Sequence, residues 1–115
     1  MQAISFTHKE DLSRALASAA AGVLSTFAPK KVSYVSFARS ITQFCDCLPS
    51  PGDILMKDVG IFAADSPVSI DAAFLGSIDY KVFNEASHVD CMIQVKEAKA
   101  LGIAGELNPK ITKII

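Results

Sequence analysis

Cys45-Asp46-Cys47, near the middle of the chain, has the clearest capacity for chemistry. Thiolates are soft ligands for zinc, copper(I) and iron–sulfur centres, and they are redox-active. In an extended segment, residues two apart point the same way, so both sulfurs can reach one centre. Asp46 lies between them, and Asp58 follows beyond a short loop. A carboxylate in such a place binds a hard cation or acts as a general base. Cys45, Asp46, Cys47 and Asp58 therefore make up the candidate metal site, with Cys45 and Cys47 its cofactor-binding thiols. The competing reading is that the thiols pack as small hydrophobes. A lone Cys-x-Cys is also less specific than the paired Cys-x-x-Cys of zinc fingers.

Other reactive residues have plainer roles. Cys91 falls in the first turn of an expected helix, where the helix N-terminus lowers a thiol's pKa. It is a third ligand only if folding brings it close, and beside Met92 it reads first as a packed residue. His88 suits a helix start and His8 the surface. Asp65 and Asp71 sit where a strand ends and a helix begins, so both read as structural. The chain carries no phosphate-binding glycine loop, no His-Glu-x-x-His and no serine nucleophile elbow. Gly102-Ile103-Ala104-Gly105 is not a dinucleotide fingerprint, because no strand precedes it.

The 115 residues amount to a single α/β domain, 1–115, long enough for a core without disulfide staples. Charges are interspersed and sum to −1, which leaves no basic stripe for a nucleic-acid backbone. No apolar stretch reaches bilayer-spanning length, and no secretion signal opens the chain. Three cysteines leave one unpaired in any monomeric disulfide scheme, which points to a reducing cytoplasm. The 50% hydrophobic content exceeds what a small domain needs for its own core. The surplus implies surface buried against another copy or another protein.

The elements that must position the thiols follow from periodicity. Thr7-His8-Lys9-Glu10 fits a capping box. From Leu12 to Phe27, apolar residues at three- and four-residue steps predict a helix that Pro29 ends. Lys31 to Phe37 reads as a strand, and Ala38 to Phe44 carries the chain on to the triplet. Residues 48–53 are a loop by their proline and glycine content. Val59 to Ala64 is almost wholly apolar, as in a strand covered on both faces of a parallel sheet. Ser66-Pro67 opens a second helix with the stripe Ile70, Phe74, Ile78 and Val82. A third helix begins near Ser87 and stops at Gly102. Ile111 to Ile115 is a short strand or an oligomer contact. The predicted fold is α/β: a small, mostly parallel sheet packed with about three helices, completed by oligomerisation or a partner.

With these residues placed, a resemblance can be stated. Cys45-Asp46-Cys47, followed by Asp58-Val-Gly-Ile-Phe-Ala-Ala-Asp-Ser-Pro-Val-Ser-Ile-Asp71, resembles the C-terminal signature of domain-of-unknown-function family 362. Gln94 and Ala100-Leu101-Gly102 fit its closing helix, and the similarity runs from about Lys31 to Gly105. Proteins of that family are often iron–sulfur proteins joined to ferredoxin-like modules. The resemblance implies a metal or redox role, with Cys45 and Cys47 the matched thiols. This chain departs from the pattern in three ways. It lacks the ferredoxin cysteine runs, matches only the end of the family's domain, and has Ser66 where an aspartate is expected before the proline.

The leading expectation is a cytoplasmic domain that binds an iron–sulfur cluster or a thiophilic metal ion through the Cys-Asp-Cys loop. A second copy or a ferredoxin-like redox partner would supply the remaining ligands. Neither nucleic acid nor a membrane is an expected partner. The alternatives are a non-catalytic oligomeric scaffold and a small metal-dependent enzyme using Asp58.

Overall fold

The computed structural model describes residues 8–45 and 48–114. Four helices and two strands follow in the order α1 (Lys9–Leu24), β1 (Tyr34–Ala38), β2 (Gly60–Ala64), α2 (Pro67–Gly76), α3 (Lys81–Ser87) and α4 (Met92–Ala100). The expected capping residue of the first helix, Thr7, lies outside the described residues.

The predicted parallel sheet is not what forms. β1 and β2 pair antiparallel, with Tyr34 opposite Ala64 and Ala38 opposite Gly60. The chain between them runs out and returns as an arm, so no crossover is available to make the strands parallel. The apolar run in β2 has a different cause from the one expected. Its inner face packs on α2, where Phe62 meets Phe74 edge-on at 5.8 Å between ring centroids. Its outer face carries Ile61, which is exposed. The run is apolar on both sides although only one side is covered.

The helix count also differs from the three expected. The Ile70–Val82 stripe is broken by a turn at residues 77–80, giving α2 and α3. Ser77 Oγ donates to the Ala73 carbonyl (2.7 Å), and Asp79 Oδ1 accepts from the Lys81 N–H (3.3 Å). Short polar side chains of this kind compete with the helical ladder. Ser87 does not start the next helix but ends α3, where His88 turns left-handed at φ 59° as its C-cap. Asn84 Oδ1 then accepts from Cys91 N–H (2.8 Å), and Asp90 Oδ1 from Met92 N–H (3.0 Å), so these two residues begin α4.

The core lies among the helices. Ala17 of α1, Val68, Ala72 and Leu75 of α2, and Val95 and Ala98 of α4 form one buried cluster, with α4 packed against both α1 and α2. Small residues, Ala17 on α1 and Ala98 on α4, are buried in this cluster, whereas Leu16, Val23 and Phe27 of the expected stripe are exposed. Ile103 closes the cluster after α4. Val68 and Ala17 are 2% exposed, which marks the centre. Residues 109–114 form no strand.

Candidate functional site

Cys45 sits near the end of an antiparallel arm. Beyond β1, Leu55 N–H donates to the Ile41 carbonyl (2.8 Å), Gln43 N–H to Asp53 (3.0 Å) and Phe44 N–H to Pro51 (2.8 Å). Thr42 and Ile54 form an antiparallel bridge between these bonds. Leu48 N–H donates to the Cys45 carbonyl (3.1 Å), which holds together the two flanks of residues 46 and 47. Cys45 is exposed, as are Phe44 and Leu48 on either side of the segment. The expected ligands Asp46 and Cys47 lie outside the described residues.

Asp58 is placed at the other end of the arm. From the Ala38–Gly60 pair to the Thr42–Ile54 bridge, the outgoing limb advances four residues and the returning limb six. The surplus is a bulge, which bends the strand it interrupts. Asp58 Oδ1 accepts from the Ser40 N–H (2.8 Å), and Oδ2 lies 3.5 Å from Arg39 Nε. Ser40 is left-handed at φ 48°, an unfavourable conformation for a residue with a Cβ. Asp58 therefore anchors the arm's base by bonding the N–H of this left-handed residue. An extended limb of about 3.3 Å per residue puts Cys45 roughly 16 Å beyond Ser40. The structure thus does not bring the Asp58 carboxylate to the Cys45 thiol.

Cys91 is elsewhere as well, packed against the helical core. The expectation that a helix start lowers its pKa is reversed. Burial, and after it the Asp90 carboxylate, push the thiol above its usual value, outweighing a backbone hydrogen bond that lowers it. His88 is exposed at the C-terminus of α3. Among the described residues, no three His, Cys, Asp or Glu side chains gather to hold a metal.

Cavities open away from the arm. One of about 410 Å³ lies beside the far end of the sheet, lined by Leu24, Phe27, Lys30, Lys31, Tyr34 and Asp65, among others. Lys30 and Lys31 join Asp65 at this cavity, although neither lysine stands out in the sequence. Their adjacency to Pro29 was the available signal, since a turn there swings the chain back across the end of the sheet. A second cavity, of about 290 Å³, is lined by Asp71, Cys91 and Gln94. Burial raises the Asp71 carboxyl above its usual value, although the residue keeps solvent contact on one side.

Among the described residues, no helix is long and apolar enough to cross a membrane. Comparison with family models, with curated proteins and with solved structures finds no match. The chain's own geometry therefore carries the functional reading.

Proposed function

We propose that the chain presents a two-thiolate half-site, Cys45 and Cys47, for an iron–sulfur cluster or a thiophilic metal ion, and that another protein surface completes it. The observation carrying this reading is the exposed position of Cys45 at the end of a backbone-bonded arm. A thiol serving only as packing belongs in a core, as the setting of Cys91 illustrates. The resemblance of the Cys-Asp-Cys segment to iron–sulfur-associated proteins supports the same chemistry. Four sulfur ligands are the usual complement of such centres, so two thiols leave half to be supplied. Asp46 stays a candidate ligand beside them, whereas Asp58 acts by holding the arm's base.

Anaerobic reconstitution with iron and sulfide, and separately with zinc, tests the proposal. Wild-type protein should retain metal through desalting, and a Cys45→Ser/Cys47→Ser variant should lose it. Equal, negligible metal in both proteins would sink the idea.

A second reading is a non-catalytic interaction domain. The specific observation favouring it is the apolar outer face of the β1–β2 sheet, where Val35 and Phe37 are more than half exposed. It predicts that the same double variant keeps every association of the wild type.

A further inference from the structure

The cavity of about 410 Å³ beside the end of the sheet collects polar groups that the fold does not use. Lys30, Lys31, Tyr34 and Asp65 all line it. Among the described residues, none of these four side chains makes a hydrogen bond or an ion pair. Other lysines are engaged: Lys9 donates to the Ser87 carbonyl and Lys99 to that of Gly105. Most of the remaining lining is apolar, and part of it is open to solvent. Phe27 is 51% and Leu101 45% exposed, beside the half-buried Leu24. Small-molecule sites occupy roughly 300–1,000 Å³ and pair an apolar wall with a few polar groups, which is the make-up here.

The backbone adds an independent observation. Lys31 N–H donates to the Ala28 carbonyl (3.3 Å), closing a turn. Lys30 stands inside that turn at φ 62°, in the left-handed region. Glycine enters that region freely, whereas a residue with a Cβ does so at a cost. Lysine is thus a poor choice for the turn and a useful one for the cavity, where it sets a second cation beside Lys31. Backbone outliers of this kind gather at ligand sites.

We infer that this cavity binds a small amphipathic monoanion, a carboxylate carried on a short apolar chain or ring. Lys30 and Lys31 hold the carboxylate, and the Tyr34 hydroxyl offers it a neutral donor. Leu24, Phe27 and Leu101 cover the apolar body and leave water as they do so. Asp65 sets the charge that is accepted. Two lysines against one aspartate leave a single net positive charge, which a monoanion balances. A dianion brings a further charge that Asp65 repels, so the same wall selects against it. The site is at the opposite end of the sheet from the thiol arm and requires none of its chemistry.

Titration of the full chain with octanoate, octyl phosphate and octanol at about pH 8, followed by amide chemical shifts, tests this. Octanoate should shift amides of residues 24–34 and 101–104, with a dissociation constant of about 1 mM or lower. Octanol keeps the chain and lacks the charge, and should bind at least about fivefold more weakly. Octyl phosphate, largely dianionic at that pH, should also bind more weakly than octanoate. Lys30→Gly and Lys31→Ala should each weaken octanoate binding by about three- to tenfold and leave octanol unchanged. Lys30→Gly relieves the left-handed residue, so it should unfold no earlier than wild type, which separates lost binding from lost fold. Asp65→Asn should remove the preference for octanoate over octyl phosphate. Octanol binding as tightly as octanoate would leave the lysines without a part and overturn the inference. No shift in these segments with any of the three probes up to about 10 mM would overturn it too. The same holds if the lysine variants bind octanoate as wild type does, or if Asp65→Asn keeps the wild-type preference.

Discussion

The sheet has two ends, and the chain treats them differently. At the α2 end, Ser66 is 5% exposed and makes two kinds of bond at once. Its Oγ accepts from the Ser69 N–H at 3.2 Å, capping α2, and donates to the carbonyl of Ala104, distant in sequence. Ser69 Oγ accepts from Glu106 N–H (2.9 Å), and Lys99 Nζ donates to the Gly105 carbonyl. At the arm end, backbone bonds between two limbs do most of the holding, and Phe44, Cys45, Leu48 and Ile54 are all exposed. One end ties distant segments into the core, whereas the other carries the exposed Cys45 on a local ladder. Regions with few buried apolar contacts open at low free-energy cost, and binding segments are drawn from them. The exposed Cys45 thiol thus lies at the more locally held of the two ends.

Two glycines offer the strongest way to break this contrast. Gly105 has φ +143°, and a Cβ there would stand 2.1 Å from Ser66 Oγ and 3.0 Å from Val68 Cβ. Ser66 cannot withdraw without losing the α2 cap. Gly105→Ala should therefore cost about 3–5 kcal/mol of global stability, measured by denaturant unfolding. Gly52, on the arm, has φ +79°, and a Cβ would meet Gln43 Cβ at 3.1 Å. Gln43 is exposed and can move. Gly52→Ala should cost about 1 kcal/mol, seen as faster amide exchange at residues 41–44 with little change in the global midpoint. Equal effects of the two substitutions would mean that arm and body unfold as one unit.

Ser66→Ala sharpens the comparison at intermediate size. It removes the α2 cap and leaves the Ala104 carbonyl without its donor. The expected loss is about 1–3 kcal/mol, with the midpoint shifting and the denaturant slope unchanged. Ser66→Asp separates the two bonds that Ser66 makes. A carboxylate restores the cap but, once ionised, cannot donate to Ala104. If Ser66→Asp were as stable as wild type, the cap would be the whole role of Ser66, and the link to the segment after α4 would contribute nothing.

The parts of the fold legible in the sequence are those that local chemistry decides. Ser66-Pro67 reads as a helix start because serine caps and proline needs no N–H, and α2 begins there. The first helix was legible as an element, but its buried face was not: the expected stripe includes Leu16, Val23 and Phe27, which are each more than half exposed, and the residue of α1 at the centre of the core is Ala17, which the stripe leaves out. The strands are placed within a few residues of where they form. Strand direction was not legible, since an apolar run such as Ile61-Phe62-Ala63-Ala64 looks the same whether its second face is covered by helices or left open. The α2–α3 break was hidden because Ile78 and Val82 keep the helical period while Ser77 and Asp79 interrupt the backbone. At the candidate site, residue type alone singled out Cys45, and the structure adds that it is exposed. The role of Asp58 was not, because its partner Ser40 becomes an exposed N–H in need of an acceptor only once the bulge forms.

Asp71 supplies the smallest test, and it concerns the well-packed end. It lies on α2 and lines the cavities of about 290 and 60 Å³ between the helices. Burial raises its carboxyl pKa above the ordinary 3.8. The folded chain therefore binds this proton more tightly than the unfolded chain does, and ionisation destabilises the fold. The penalty is absent below the unfolded pKa of 3.8 and grows as pH rises toward the folded value. It is complete at neutral pH. Solvent on the open side screens the charge and keeps the penalty small. Asp71→Asn should thus stabilise the chain by no more than about 0.5 kcal/mol at neutral pH. The gain should fade as the pH drops below the raised folded pKa and vanish near pH 3. Unfolding curves of the two proteins measured across that range check the sign. A gain that grew toward acid pH would mean that ionised Asp71 is stabilising, so a cationic partner would have to face it across the cavity. Two cavities at the tightly bonded end would then have a charge-bearing wall, and the contrast between a structural end and a chemical end of the sheet would need redrawing.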